Sequence, residues 1–209
     1  MPRTGRTTVF ACLTVLAGLT QPAIARAQGI DKKPPQVLIG VNFAEITFTQ
    51  QGLGVDWSAG FVGGVDIALP QPKNNIVSVH PEALFVQKGA HVTSTVDEHV
   101  RANYLEAIGD IQIKFLPTVT HDRITLDVGP TVGFLLNASN DVNGQHVSLT
   151  ESVTRVDAGI IAGLTVRVAD RLDAGVRYEQ SFIDFFKDST STAKNRSLMI
   201  LVTPRIIKD

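Results

Sequence analysis

From Arg155 to Val168 the chain alternates residue by residue, and one of the two alternating sets carries no charge. Val156, Ala158, Ile160, Ala162, Leu164, Val166 and Val168 form that set. Arg155, Asp157, Gly159, Ile161, Gly163, Thr165 and Arg167 form the other. Successive side chains of a strand point to opposite faces, so this is a strand with one aliphatic face and one face that mixes charge with glycine. Eight stretches share the pattern: residues 37–44, 57–69, 76–86, 104–115, 124–136, 155–168, 172–182 and 197–206. Most have at least the roughly 9–11 residues that a tilted strand needs to cross a bilayer. No stretch keeps a 3.6-residue period over four turns, so little helix is expected.

The aliphatic face is uniform over all eight stretches. It runs through Val37, Ile39 and Val41, then Phe61 and Val65, Val77 and Val79, Leu105 and Ile111, Val132 and Phe134, Val176 and Tyr178, and Leu198 and Ile200. With charged residues at 19% of the chain, random placement over roughly forty such positions would put about eight charges there, and there are none. A lipid-facing Arg or Lys at mid-membrane costs about 2–4 kcal/mol, which explains such a void. The links alternate in size. Residues 70–75, 116–123 and 169–171 are short and rich in turn formers, whereas 45–56, 87–103, 137–154 and 183–196 are long. Short inner turns alternating with long outer loops, an even strand number and an uncharged outer face all fit an outer-membrane barrel. The expected fold is all-β, an eight-stranded antiparallel up-and-down transmembrane β-barrel in the cell outer membrane.

The opposite face carries the chemistry. Glu82, Glu106, Asp110, Lys114, Asp127, Asp157, Arg167, Arg177, Glu179 and Arg205 all fall on it, with His80, Asp66, Arg155 and Asp173. In a closed barrel these residues share the lumen. Direction along the strands puts Asp66, Lys114, Asp127, Arg167, Asp173 and Arg205 toward the inner end. Glu82, Glu106, Asp110, Arg177 and Glu179 fall nearer the middle or the outer half. An eight-stranded barrel is just wide enough for its own side chains, and a buried ion needs partners because desolvation costs several kcal/mol. The expected arrangement is a paired polar plug rather than an ion path. Acids outnumber bases eight to five on this face.

Composition narrows the remaining choices. Net charge is −1, with no basic excess or stripe for nucleic acid. Arg3 and Arg6, the apolar run 9–19 and Ala25-Arg26-Ala27 read as a cleaved export signal over 1–27. Residues 28–36 then form a periplasmic leader and 37–209 the barrel. Cys12, the single cysteine, lies in the signal, so the mature chain has no disulfide or thiolate metal site. No serine elbow, HExxH or phosphate loop occurs, and neither enzyme nor cofactor is expected. A Glu82–Glu106 pair, a His80–Glu82 pair and the loop histidines His91, His99 and His146 are the weak catalytic candidates. Asn140-Asp141-Val142-Asn143-Gly144 faintly matches a calcium loop, but Asn-Gly is itself a turn signal.

A family resemblance follows from ordered motifs. Gly40-Val41-Asn42-Phe43, the run His80-Pro81-Glu82-Ala83-Leu84-Phe85-Val86-Gln87-Lys88-Gly89, Tyr104-Leu105-Glu106, Gly129-Pro130, Asp157-Ala158-Gly159 with Gly163, Arg177-Tyr178 and Lys194-Asn195-Arg196 occur in that order. The chain resembles the porin-family outer-membrane β-barrel domain proteins related to the PorT group. That resemblance implies an integral outer-membrane barrel, usually without a defined activity, and for PorT members a tie to protein secretion. Such barrels commonly finish on an aromatic; here Ile206 stands near that place, within Arg205-Ile206-Ile207-Lys208-Asp209. Expected partners are outer-membrane lipid and the barrel insertion machinery, with a surface or periplasmic partner left open. The competing fold reading is a secreted lipocalin-like barrel with the aliphatic face inside and the charges in water.

Overall fold

The computed structural model describes residues 30–31, 34–48, 54–72, 75–93, 97–120, 123–142, 145–187 and 192–205. The export signal expected over 1–27, Asn143-Gly144 and Ile206 lie outside them. Eight long strands dominate: β1 (Gln36–Phe48), β2 (Gly54–Asp66), β3 (Val77–Thr93), β4 (Asp97–Lys114), β5 (Ile124–Val142), β6 (Val156–Ala169), β7 (Leu172–Asp184) and β8 (Ala193–Pro204). Each pairs antiparallel with its sequence neighbours, and β8 pairs with β1 to close the ring. Closure leaves every barrel strand paired on both sides, so the backbone satisfies itself without solvent, as a lipid environment requires.

Register sets the aliphatic residues side by side around the outside. Ile200 faces Val41 on one side and Val176 on the other; Val41 in turn faces Phe61, and Val176 faces Leu164. All five are exposed. Phe61 is 51% exposed while its neighbour Val62 is at 0%, so the pleat, not hydrophobicity, decides which side a residue takes. With the aliphatic face turned out, the lipocalin-like arrangement does not hold.

Three strands run farthest beyond the stretches that alternation predicts. β3, β4 and β5 span 17, 18 and 19 residues, and pairing continues to Thr93 opposite Asp97 and to Asp141 opposite His146 in the added strand Gln145–Ser148. The links expected over 87–103 and 137–154 are therefore largely sheet. His91, His99 and His146, expected in loops, sit on strands. The period-2 signal fades there because polar and small residues enter both faces, while the main-chain ladder continues, with one register shift between β4 and β5 at Asn103–Tyr104. At the opposite end the links stay short. Ile30–Asp31, from the expected leader, pairs with Gln71–Pro72 in the β2–β3 connection, and the β4–β5 link holds one helical turn, Pro117–Thr120.

Inside, glycine lets the strands coil tightly. A Cβ on Gly40 would lie 2.0 Å from the Ile200 carbonyl oxygen, and one on Gly129 would lie 2.3 Å from that of Gly109. Either methyl would collide with the neighbouring strand's backbone.

Candidate functional site: the barrel lumen

The lumen is layered. From the short-turn end inward, the first closed layer centres on Arg177 of β7. Its guanidinium forks onto Glu82 of β3, with Nη1 donating to Oε2 at 2.6 Å and Nη2 to Oε1 at 2.9 Å. Nη2 also donates to Asp110 of β4 at 3.3 Å, and Nε lies 3.5 Å from Asp127 of β5. Neutral donors reach the same oxygens as Arg177: Thr165 donates to Asp127 Oδ2 at 2.6 Å and Gln112 to Asp110 Oδ2 at 2.9 Å, while Oδ1 of each acid is buried without a hydrogen-bond donor among the described residues. A bidentate guanidinium–carboxylate pair is among the stronger charge-assisted contacts, and here all four side chains are buried. Beside this layer His80 pairs with Asp66 across β3 and β2 at 2.9 Å, not with Glu82.

Above it lies an apolar septum that sequence reading did not anticipate. Val62, Leu84, Val86, Ile108, Ile161, Met199 and Leu201 form one buried cluster with Leu38, which also lines the cavity at the short-turn end. They share strand faces with the charges, so the inner face is not uniformly polar. Alternation marks these residues as inward, but the loss of charge in mid-lumen becomes visible only once all eight strands are in register.

The second ionic layer centres on Lys88, which falls within the link expected over 87–103. Its Nζ lies 2.7 Å from Glu106 and donates to Glu179 at 2.9 Å and Asp157 at 3.3 Å. It also stands 5.3 Å from the centre of the Tyr104 ring, within cation–π range. Thr131 donates to Glu179 at 3.1 Å, Asn195 to Asp157 at 3.0 Å, and Ser181 to the other Asp157 oxygen. Lys88 continues the even-numbered inward series His80, Glu82, Leu84 and Val86; extending that parity by one step would have found it. A cap follows. Val153 and Phe185, from the β5–β6 and β7–β8 links, are buried against Ile46, Ala90, Val100, Ala102 and Tyr104. The links are tied by a Val153–Phe186 bridge and by Thr154 N–H donating to the Phe185 carbonyl at 2.8 Å.

The expected charge network thus separates into two layers and a rim. Glu82, Asp110, Asp127 and Arg177 share one layer; Glu106, Asp157 and Glu179 share the other. Glu82 and Glu106 fall in different layers and form no acid–base pair. Lys114, Arg167 and Arg205 join neither layer. They line a cavity of about 300 Å³ at the short-turn end, to which all eight strands contribute. Arg155 leaves the lumen altogether: its side chain is 64% exposed at the loop end and pairs with Glu151. It sits one residue before β6 begins, where the pleat no longer constrains it. Among the described residues no group of three or more His, Cys, Asp or Glu is arranged to hold a metal ion. Asn140, from the calcium-like run, donates instead to Glu98 at 3.1 Å.

Outside the barrel and beyond the aliphatic belt, the β3–β5 wall carries polar rows. Gln87 donates to Asn103 at 3.2 Å and Asn103 to Asn137 at 2.9 Å. Higher up, His91, His99, Asp141 and His146 are successive cross-strand neighbours. The rings of His91 and His99 stack at 4.1 Å, and Asp141 pairs with His146 at 2.6 Å. The hydrogen bond to His146 holds the Asp141 carboxyl below the usual range for an aspartate.

A family model described as outer membrane protein beta-barrel domain matches residues 36–187. Among solved structures, Neisserial surface protein A (NspA) is similar at 14% identity and a TM-score of 0.51, covering 82% of this chain and 97% of that one. Ail, the attachment invasion locus protein of Yersinia pestis, is similar at 15% identity and a TM-score of 0.47, covering 84% of this chain and 100% of that one. No curated sequence matches the chain.

Proposed function

Because this chain belongs to the outer membrane protein β-barrel domain family and is an outer-membrane protein, we propose that it is a sealed, non-catalytic barrel that presents a surface for interaction. The observation that carries the seal is the stack of two ionic layers on either side of an apolar septum, under a cap of loop side chains. An ion crossing this lumen would have to displace Arg177 from Glu82, pass the septum without water, and then displace Lys88. Each step strips hydration without replacing it. The surface role rests on the β3–β5 wall. From Leu105 to His99 it rises roughly 20 Å along the strand, at about 3.3 Å per residue, and its polar rows face outward. Lipid around the belt, the barrel insertion machinery and a surface or periplasmic partner are the partners this reading requires. The narrower kinship with the PorT group rests on the ordered sequence motifs. In planar bilayers the purified protein is expected to give no steady conductance; a large, persistent channel would refute the seal.

A further inference from the structure

We infer that the cavity at the short-turn end, which opens to the periplasm, binds a small multivalent oxyanion, either a phosphate or a polycarboxylate. The cavity has about 300 Å³ of space and is walled by the last or first residues of all eight strands. Lys114, Arg123, Arg167 and Arg205 converge on it from β4, β5, β6 and β8 or the residues flanking them, against Asp173 and the His80-bound Asp66. Register forces two of the cations together: the Arg167 N–H donates to the Arg123 carbonyl at 2.8 Å.

The guanidinium groups of Arg167 and Arg205 are not consumed by the acids near them. The ion pairs of Arg167 and Arg205 both run to the one carboxylate of Asp173, at 3.7 and 3.5 Å through Nε. Those distances exceed a hydrogen bond. Arg167 Nε is buried and has no hydrogen-bond acceptor, an arrangement folded proteins seldom leave uncompensated. The acidic layer beneath is already organised around Arg177, with Glu82 taking both arms of its fork. Guanidinium groups suit the oxygens of carboxylate and phosphate, and Thr125 and Thr203 line the same cavity. Given the seal proposed above, on which this point rests, the site is a dead-end receptacle and not the mouth of a channel. This inference does not depend on the surface role.

The test uses the full mature chain refolded in detergent and titrated calorimetrically, at low ionic strength, with inorganic phosphate and separately with citrate. Saturable binding near one ligand per barrel is expected. The double variant Arg167→Gln, Arg205→Gln should weaken it by about tenfold or more, as loss of charge-assisted contacts would. Arg155→Gln, at the far end, should leave it unchanged. Binding of phosphate alone or citrate alone identifies which oxyanion the site takes, and binding of both means that it reads charge. No saturable binding by the unaltered protein, or equal binding by the double variant, overturns the proposal. Should the double variant fail to fold, arginine labelling of the unaltered barrel decides. Phosphate or citrate must protect Arg167 and Arg205 from phenylglyoxal while Arg155 stays reactive; uniform labelling with and without anion overturns the site.

Discussion

Two cations hold the interior together, and their neighbours define what losing them means. Arg177 faces three carboxylates and Lys88 another three. Removing one partner of a buried ion pair typically costs about 3–5 kcal/mol, because the other charge is left stranded. Arg177→Ala and Lys88→Met are each expected to lose about that much in urea unfolding of the refolded barrel. Adding Glu106→Gln and Glu179→Gln to Lys88→Met should recover much of the loss, since the stranded charges go with the lysine. An unchanged unfolding midpoint in either single variant would mean that water, not the cation, solvates those acids. Outside the membrane, Asp141 titrates below an ordinary aspartate because His146 hydrogen-bonds it. A depressed carboxyl contributes stability above its unfolded pKa and loses that contribution as pH falls through its folded value. In an NMR titration of labelled protein the Asp141 midpoint should sit below that of a model aspartate and return to it in His146→Ala. Coincident midpoints in the two proteins would remove the pair from any account of the wall. Lys88 is the least legible residue, because its role depends on partners distant in sequence.

At the scale of the strand, the pleat makes depth an energetic coordinate. Ile200 lies in the middle of β8, flanked by Val41 and Val176, whereas Val168 lies next to the end of β6 at the turn. Both point outward and both are exposed. In a bilayer, arginine at mid-depth costs about 2–4 kcal/mol and near the interface about 0–1. Ile200→Arg should therefore destabilise vesicle-folded protein markedly more than Val168→Arg, as read by equilibrium urea unfolding in lipid. Equal effects would mean that the belt is not a hydrocarbon contact. Strand faces were legible in the sequence because parity is a local property: from Val37 to Ile200 the outward set was assigned from alternation alone. Strand ends were not. Gly89, Ala90 and His91 extend β3 although nothing in their hydropathy distinguishes them from a loop. Backbone pairing with Arg101, Val100 and His99 is a contact between segments, and no single segment encodes it.

For the whole molecule, closure joins the two ends of the chain, with β8 paired to β1 and six other strands between them around the ring. A closed barrel of this kind should migrate faster on a gel unboiled than boiled and should resist extraction by alkaline carbonate. Identical migration, or release without detergent, would contradict a closed membrane barrel. Gly40, pressed against the β8 backbone at Ile200, sits at this seam. The sequence by itself determined the fold class, the outward face, the count of eight and the inward position of Glu82, Asp110, Asp157 and Arg177, because all of these follow from a two-residue period and from turn chemistry. Only the tertiary structure decided that the inward charges form two layers with a septum between them, that Lys88 belongs to one, that Arg155 belongs to neither, and that Lys114, Arg167 and Arg205 ring a cavity. Height within a barrel is set by the stagger of strands around the ring, and that stagger exists only once the ring has closed.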